Sequence, residues 1–362
     1  MIIDIKPLEL SKRGACPETY SFGADFSDHM FSQNFEQGSG WEKAEITPYH
    51  ALTLDPSAAV FHYGQEIFEG LKAYRSFDGT INLFRPSENF KRFNRSAKRM
   101  AMPEIDGKFH LKALKALISL DHNWIPEQVG SSLYIRPTMI ATGKKLGLGA
   151  SDSYIHFIIT GPAGSYFKGG FEPVSVYIAD KYRRAVVGGV GEAKTGGNYA
   201  ASLYVSEEVE KLGYSQVLWL DAVHGKYIEE VGAMNICFVY ENKHIVTPAL
   251  SGSILPGITR DSILKLAPAL GFEVSEERLD IEQILADIKS GKITEAFGCG
   301  TAAVISPVGK LCWKGTDYII NNNKSGEISK QLYDELTGIQ YGTRKDRFGW
   351  IEKVDPAVTV DV

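Results

Sequence analysis

The sequence predicts an α+β fold in two domains, and three observations lead to this prediction. The chain has 362 residues, of which 44% are hydrophobic, which is enough apolar surface for about two cores. Segments with strand-like and helix-like patterns are mixed without regular alternation, which favours α+β over a doubly wound parallel sheet. A glycine-rich segment near the middle, residues 161–170, is the best candidate for a linker.

The first domain is expected over residues 1–163 and combines strands with two helices. The helices show apolar residues on one face, and the strands show alternation or continuous apolar runs. The predicted elements are a strand at 81–84, a helix with Ser87 as N-cap, a helix at about 110–120, and strands at 132–136 and 154–160.

An interdomain linker is expected over residues 164–174, and a second, larger domain over 175–362. The predicted strands of this domain are 174–179, 216–221, 226–230 and 235–240, and the predicted helices are 199–212, 259–270, 281–289 and 327–337. Gly338 follows the last helix, where a glycine commonly ends one.

Charge and composition exclude several classes of partner. Lysine and arginine number 39 and aspartate and glutamate 44, which gives a net charge of −5 and no basic surface for nucleic acid or an anionic membrane. No apolar stretch is long enough to span a bilayer, and the N-terminus lacks the apolar core of a signal peptide. We therefore expect a soluble, cytoplasmic protein that binds small molecules.

The four cysteines, Cys16, Cys237, Cys299 and Cys312, contain no Cys-x-x-Cys pair. The sequence also lacks metal-ligand spacing, so no metal site is predicted. In a chain of this length, so few cysteines favour free thiols in a reducing compartment.

The most informative segment is GGVGEAKTGGNYAAS, residues 188–202, in which Lys194 lies between glycines before a predicted helix. One interpretation is a phosphate loop of a nucleotide hydrolase. Ala193 stands where that loop needs glycine, and Asp221 leads into a hairpin turn, which disfavours this interpretation. Another is an exposed lysine in a turn, although flanking glycines would let a bulky ligand approach the backbone.

Eight segments, in family order over nearly the whole chain, resemble the branched-chain aminotransferases, which are fold-type IV pyridoxal phosphate enzymes. The segments are FGADFSDHM (22–30), HYGQEIFEGLKAY (62–74), LFRPSENFKRFNRSAKRM (83–100), SSLYIRP (131–137), KTGGNYA (194–200), YIEEVGAMNICF (227–238), ILPGITR (254–260) and FGCGTAAVISPV (297–308).

The resemblance implies a two-domain fold of the D-amino-acid-aminotransferase type, with a small α/β domain and a larger, mixed α/β barrel-like domain that carries Lys194. It implies a ping-pong reaction with pyridoxal 5'-phosphate. Leucine, isoleucine or valine gives its amino group to the cofactor, and 2-oxoglutarate then accepts it and becomes glutamate.

The resemblance also assigns cofactor residues. Lys194 would hold the cofactor through an imine and move the proton at the substrate's α-carbon. Glu230 would bind the pyridinium proton, with Glu229 on the opposite face of the strand. The other expected cofactor residues are Arg92, Arg184, Tyr199, Leu255, Ile258, Thr259 and Thr301.

Substrate residues follow from the same resemblance. Backbone N–H groups of Ala302 and Ala303 would bind the α-carboxylate, and Arg136 would bind the γ-carboxylate of glutamate, with Tyr63. Without the resemblance, the aromatic residues would more simply pack in a core. Those expected around the substrate side chain are Phe22, Tyr63, Phe68, Tyr134 and Tyr166. Leu148 lies in a loop that in relatives reaches the partner subunit, which implies a homodimer.

Departures from the family and rival functions complete the prediction. Ala303 and Ser306 stand where some relatives have a Cys-x-x-Cys pair, and Ala233 stands where some relatives have a threonine. The rivals are a D-amino-acid aminotransferase, an aminodeoxychorismate lyase and a non-catalytic relative. The sequence does not rank leucine, isoleucine and valine, and it does not distinguish synthesis from degradation.

Overall fold

The structure is a computed structural model that describes residues 2–128, 130–164 and 171–355. By the density of internal contacts the chain divides into two units. The first comprises Met1–Ser165, Ala193–Gly196 and Gly338–Val362, and the second comprises Tyr166–Glu192 and Gly197–Thr337. The α+β class predicted from the sequence is confirmed, because each unit combines a mixed or antiparallel sheet with helices.

The strands are numbered in chain order. They are β1 (Ile3–Ile5), β2 (His29–Glu36), β3 (Gly40–Trp41), β4 (Ala44–Pro48), β5 (Glu66–Phe68), β6 (Leu71–Arg75), β7 (Ile81–Phe84), β8 (Ser132–Ala141), β9 (Ser153–Ala163), β10 (Val174–Ile178), β11 (Gln216–Leu220), β12 (Ile228–Val231), β13 (Met234–Tyr240), β14 (His244–Pro248), β15 (Glu273–Glu277), β16 (Ile293–Gly300), β17 (Val304–Trp313), β18 (Thr316–Ile319) and β19 (Ile351–Val354).

The α-helices are numbered in the same way. They are α1 (Ala59–Tyr63), α2 (Pro86–Arg99), α3 (Gly107–Leu120), α4 (Gly196–Lys211), α5 (Ile258–Ala269), α6 (Ile281–Ser290) and α7 (Glu327–Gln340). None of the helices within the described residues is both long and apolar enough to cross a bilayer. All four cysteines are free thiols, as expected from their number and spacing.

The sheet of the first unit has the strand order β1-β4-β2-β9-β8-β6-β7-β19, with β3 beside β2 and β5 beside β8. The long antiparallel pair β8–β9 forms its centre, and alternate residues of β8 are buried. The helices α2 and α3 cover the apolar face, where Phe31, Phe90 and Phe93 are at most 2% exposed. A buried apolar layer between sheet and helices is the main stabilising feature of such a unit.

The helix α2 begins two residues before the expected position. Its N-cap is Arg85, with a left-handed backbone at φ 50°, and Pro86 is the first helical residue. Ser87 therefore lies inside the helix, and its prediction as N-cap is wrong. The reason is that proline, with its fixed φ and absent N–H, is well suited to the first helical position. In α3 the side chain of Asp106 does cap the helix, since it accepts from the N–H groups of Lys108 and Phe109.

The second unit contains a closed barrel. Its sheet has the order β12-β11-β10-β17-β16-β13-β14-β15, and an additional pairing joins β12 to β13. That pairing closes six strands, β10 to β13 with β16 and β17, so these strands have no exposed edges. Two pairings of β10, with β11 and with β17, are parallel, and the others within the barrel are antiparallel. The barrel-like fold expected for this part of the chain is confirmed.

Neither unit is a single continuous stretch of the chain. Ala193–Gly196 belongs to the first unit because the N–H of Phe68 in β5 donates to the carbonyl of Lys194 at 3.0 Å. Gly338–Val362 belongs to it because β19 pairs with β7. The sequence division at 1–163, 164–174 and 175–362 stays a prediction about folding domains, whereas the contacts place Lys194 with the first unit.

Two histidines lie side by side in the core of the first unit. The ring centroids of His110 in α3 and His156 in β9 are 4.8 Å apart, and both residues are fully buried. Neither ring nitrogen of His156 has a hydrogen-bond partner among the described residues, nor does Nε2 of His110. Burial lowers the pKa of His110 to about 4 and holds the pKa of His156 well below its usual range. Both rings are therefore neutral in the folded protein at neutral pH.

We expect this pair to make the protein sensitive to acid. Between the unfolded pKa of about 6.5 and the folded pKa of about 4, the unfolded chain binds more protons, so the free energy of unfolding falls as pH falls through this window. Between about pH 7.5 and about pH 5, which covers only part of this window, the loss for His110 alone is about 2 kcal/mol. Urea unfolding at about pH 7.5 and at about pH 5 measures it.

A double variant, His110→Phe and His156→Phe, is expected to lose much less stability between these two pH values than the wild-type protein. The exposed His50 provides the matched control, since His50→Phe removes a histidine that is not buried. Equal pH dependence in the wild-type protein and the double variant would contradict the interpretation.

Candidate active site

The backbone around Lys194 is fixed by hydrogen bonds within the first unit. The N–H of Lys194 donates to Oγ of Ser96 in α2 at 2.9 Å, and its carbonyl accepts from Phe68 at 3.0 Å. Oγ1 of Thr195 donates to the carbonyl of Glu66 at 2.8 Å. The loop is therefore hydrogen-bonded to β5 on one side and to α2 on the other, and these bonds hold Lys194 in position.

The side chain of Lys194 is half-buried against an aromatic ring. Its Nζ lies 4.8 Å from the ring centroid of Phe68, and the guanidinium of Arg136 lies 4.7 Å from the same centroid. Nη2 of Arg136 also donates to the hydroxyl of Tyr134 at 3.0 Å. Two cations therefore contact the ring of Phe68. Each cation is stabilised by the ring, but the two like charges are close together.

The amine of Lys194 has a strongly altered acidity. Burial lowers the pKa of Lys194 to about 8, and the charge of Arg92 acts in the same direction. The nearby carboxylate of Glu69 opposes this effect without cancelling it. At about pH 7.5 roughly a quarter of the amine is then neutral, compared with a negligible fraction for an ordinary lysine. A neutral amine is a nucleophile and can accept a proton.

Arg92 and Glu69 form a buried ion pair close to this loop. Nε and Nη2 of Arg92 donate to Oε1 and Oε2 of Glu69 at 2.7 and 2.9 Å. Nδ2 of Asn89 donates to the same carboxylate at 2.8 Å. Burial raises the pKa of Glu69, but the charge and hydrogen bonds of Arg92 outweigh it and hold this pKa below its usual value. The pair fixes the plane of the guanidinium.

Glu66, Glu69 and Ser96 were not among the predicted site residues, although all three lie in the quoted segments. The sequence did contain a partial indication of the two glutamates. Two carboxylates in the strand-like run EIFEG, residues 66–70, need partners once that run is buried. The partners of these carboxylates come from α2 and from residues 193–196, which we call the lysine loop. Only the tertiary structure brings these segments next to the run.

Gly196 lies against the carboxylate of Glu66, which a side chain at this position would displace. The N–H of Gly196 donates to Oε1 of Glu66, and a Cβ atom at Gly196 would overlap that oxygen. Burial raises the pKa of Glu66, and the hydrogen bond from Gly196 partly offsets this rise. The next residue, Gly197, has open space where its Cβ would lie.

We expect Gly196→Ala to displace the lysine loop and to lower the turnover of amino groups at least about tenfold, because small displacements of a reacting group are costly. Gly197→Ala is the matched control and is expected to stay within about twofold, since alanine fits a first helical turn there. Steady-state rates and thermal unfolding of both variants test this. Similar effects at the two positions would show that helix propensity, not the contact with Glu66, matters.

In the second unit, Glu230 lies on β12 and is buried. Its Oε1 accepts from the N–H of Leu255 at 2.7 Å and lies 3.2 Å from Nη2 of Arg184. The neighbouring Glu229 points to the opposite face of the strand and accepts from Oγ of Ser253. The two adjacent carboxylates therefore have separate surroundings, as expected from strand alternation.

The helix α5 begins in the same region. Its N-cap, Gly257, is extended, and the first helical residues, Ile258 and Thr259, are buried. Nδ2 of Asn235 donates to the carbonyl of Leu255 at 3.0 Å and holds the preceding turn. The first-turn N–H groups of a helix have no partner within that helix and attract anions.

The remaining predicted residues of the second unit lie in α4 and in a turn of the barrel. Tyr199 is half-buried in the first turn of α4. Thr301 and Ala302 are half-buried in the turn between β16 and β17, and Ala303 is buried there. Tyr166 lies outside the described residues.

Of the predicted substrate residues in the first unit, the structure brings four together. Phe22 packs edge-to-face on Tyr134, with centroids 5.0 Å apart, and Tyr134 contacts Arg136, which lies over Phe68. These side chains form a partly exposed aromatic and cationic surface. Tyr63 makes a different contact, in which its hydroxyl donates to the carbonyl of Leu146. Leu148, in the same loop as Leu146, is 88% exposed.

Comparison with known proteins places this chain among related sequences and folds. A family model described as amino-transferase class IV matches residues 66–311. The branched-chain-amino-acid transaminase 1 of Bacillus subtilis (strain 168) is 51% identical over 93% of this chain and 95% of its own length. A probable branched-chain-amino-acid aminotransferase of Staphylococcus aureus (strain N315) is 50% identical over 96% of this chain and 97% of its own.

A solved structure shows the same similarity at the level of the fold. The branched-chain amino acid aminotransferase from Escherichia coli matches with a TM-score of 0.70 and 27% identity, over 90% of this chain and 99% of that chain. Lower sequence identity does not weaken the likeness of the fold. The branched-chain amino acid aminotransferase from Thermobaculum terrenum in its PLP-form matches with a TM-score of 0.74 at 24% identity, over 91% of this chain and 99% of that chain.

Proposed function

We propose, because this chain belongs to the class IV aminotransferase family, that it transfers amino groups between branched-chain amino acids and 2-oxoglutarate with pyridoxal 5'-phosphate as cofactor. The observation that carries the proposal is the half-buried amine of Lys194, whose pKa is lowered to about 8 in a loop held on both sides. Relatives of about half identical sequence over nearly the whole chain carry the substrate class in their names.

The residues present fit this cofactor by the chemistry of their donor groups. When bound, pyridoxal phosphate supplies an aldehyde and an electron-withdrawing ring that stabilises negative charge at the substrate's α-carbon. Such a group requires a lysine amine, an acid for its ring nitrogen and donors for its phosphate. Lys194, Glu230 and Arg92 supply these three chemistries from buried or half-buried positions.

Lys194 has two proposed tasks. Its Nζ would hold the cofactor covalently, and the free amine would take the proton from the substrate's α-carbon and donate it to the reacting carbon of the cofactor. A pKa of about 8 suits both directions, because neither the neutral nor the charged amine is rare near neutral pH.

Glu230 is proposed to accept a hydrogen bond from the ring nitrogen and to keep it protonated. The hydrogen bond from Leu255 and the ion pair with Arg184 orient this carboxylate. For the phosphate we propose charge-assisted hydrogen bonds from Arg92, N–H groups at the start of α5 and a hydroxyl. The proposed phosphate residues are Arg92, Ile258, Thr259 and Thr301, and Tyr199 is proposed for the phenolic oxygen.

The substrate is proposed to bind through backbone and aromatic groups. N–H groups of Ala302 and Ala303 bind the α-carboxylate, and Arg136 meets the γ-carboxylate of glutamate. The aromatic residues proposed to surround the side chain are Phe22, Tyr63, Phe68, Tyr134 and Tyr166. We also propose a cytoplasmic homodimer in which Leu148 reaches the partner's site, and light scattering of the purified protein would measure its mass.

The amino donor tests this function. With 2-oxoglutarate as acceptor, we expect kcat/KM for L-leucine, L-isoleucine and L-valine to exceed that for D-alanine at least about 100-fold, because a site built for one enantiomer misplaces the α-hydrogen of the other. Glutamate formation is measured directly. Preference for D-alanine, or release of pyruvate from aminodeoxychorismate, would indicate the other fold-type IV activities, and no reaction with any donor would indicate a non-catalytic relative.

A further inference from the structure

We propose that the second unit contains an additional small-molecule site, beside Glu229, that binds an organic ammonium ion with a small apolar body. A cavity of about 330 Å³ lies there and is lined by residues of that unit alone. This volume is near the lower end of the range for small-molecule sites, about 300–1,000 Å³. Of the two adjacent glutamates of β12, Glu229 lines the cavity and Glu230 is not among the described residues that do so.

Glu229, which lines this cavity, carries a carboxylate oxygen without a hydrogen-bond donor in the described part of the chain. The residue is 4% exposed, and its Oε1 accepts from Oγ of Ser253. Its Oε2 has no hydrogen-bond partner among the described residues. A buried carboxylate oxygen without a donor is costly, and a ligand N–H group would remove that cost.

The other buried carboxylate of the wall, Asp221, has its acceptors occupied. Its Oδ1 accepts from the N–H groups of Lys226 and Tyr227 at 2.9 and 2.8 Å, and its Oδ2 accepts from that of His224 at 2.7 Å. These bonds hold the turn after β11. Asp221 therefore contributes charge to the cavity, but both of its carboxylate oxygens already accept hydrogen bonds from the turn. Glu229 is therefore the group to which a ligand donor is directed.

The charges of the wall favour a cation. Three carboxylates line the cavity, those of Asp221, Glu229 and Glu277, against one guanidinium, that of Arg278. The guanidinium of Arg278 lies over the ring of Tyr227, 3.6 Å from its centroid. Burial raises the pKa of Glu229, and a bound ammonium ion would stabilise its ionised form. An anionic ligand would instead be repelled by the excess of carboxylates.

Apolar side chains form the rest of the wall. Val187, Val223 and Leu250 line the cavity while 58%, 69% and 45% exposed, and Ile254 lines it at 3% exposed. Three large apolar residues together at an opening leave hydrocarbon in water unless something covers them. The apolar body of the ligand would lie on these residues, with its ammonium group directed inward at Glu229.

The test uses the full-length protein saturated with its cofactor and N,N-dimethylbutylamine as probe. This tertiary amine is protonated near neutral pH, has one N–H group and cannot condense with an aldehyde. Calorimetric titration is expected to show saturable binding, and the neutral amide N,N-dimethylbutanamide and the anion hexanoate are expected to bind at least about tenfold more weakly. Absence of saturable binding of the amine, or equal binding of the amide, overturns the proposal.

Variants locate the site. Glu229→Gln is expected to weaken the amine at least about tenfold, whereas Glu277→Gln, a rim carboxylate whose Oε1 already accepts from Ser275, is expected to weaken it less than about threefold. Ala249→Leu fills the cavity and keeps Glu229, so it should abolish binding even if Glu229→Gln does not fold. Unchanged affinity in Glu229→Gln or in Ala249→Leu overturns the proposal. The site does not depend on amino transfer, because its residues are distinct from those assigned to that reaction.

Discussion

Lys194→Ala is expected to lower amino transfer from L-leucine by about 10⁴-fold or more, the largest effect we expect from any single substitution. The variant removes the group proposed to bind the cofactor covalently and to carry the proton, and loss of a group with both roles commonly costs this much. The comparison requires both half-reactions, with L-leucine followed by 2-oxoglutarate, in the presence of excess pyridoxal phosphate.

Covalent labelling distinguishes this role from a purely structural one. Borohydride reduction of the holoenzyme followed by peptide mass mapping is expected to find the cofactor on Lys194. Lys72 is the matched control, since burial lowers its pKa to about 8 as well, and it lies in the same unit. The label is expected to remain on Lys194 in Lys72→Met. Label on Lys72, or on neither lysine, would refute the proposed site.

Arg92→Met is expected to lower the free energy of unfolding by about 3–5 kcal/mol, because it leaves the buried carboxylate of Glu69 without its counter-charge. The same substitution should weaken the binding of the cofactor, since Arg92 is a proposed phosphate ligand. Urea unfolding of the cofactor-free protein measures the first effect, and titration with pyridoxal phosphate measures the second.

Two comparisons separate the ion pair from general effects on the helix. Arg95→Met, an exposed position of the same helix, is expected to change stability by less than about 0.5 kcal/mol. The double variant Glu69→Met and Arg92→Met is expected to be more stable than Arg92→Met alone, because it removes both charges. A double variant that is no more stable would show that the ion pair is not the source of the loss.

Local patterns predicted several elements closely. The strand expected at 81–84 is β7, Ile81–Phe84, and the helix expected at 281–289 is α6, Ile281–Ser290. Both are short segments whose apolar periodicity and flanking turns are sufficient evidence. The helix expected at 199–212 is α4, which begins earlier at Gly196, because two glycines at its start conceal the helical pattern.

Other elements could not be recognised from local patterns. The strands β1 to β6 and β14 to β19 were not predicted, although they make up much of both sheets. Most of them pair with strands distant in the chain, as β1 does with β4 and β17 with β10, whereas β3 and β18 form hairpins with their neighbours β2 and β17. Such pairing depends on register and burial rather than on the residues of one strand.

By itself, the sequence determined the α+β class, the central position of Lys194 and, through eight ordered segments, the family to which the chain belongs. Only the tertiary structure decided that Lys194 packs with the first unit, that Arg92 is paired with Glu69, and that Glu229 faces a cavity. The physical reason is the range of the interactions. Motifs and periodicity act over a few neighbouring residues, whereas partners, burial and pKa depend on side chains brought together from distant parts of the chain.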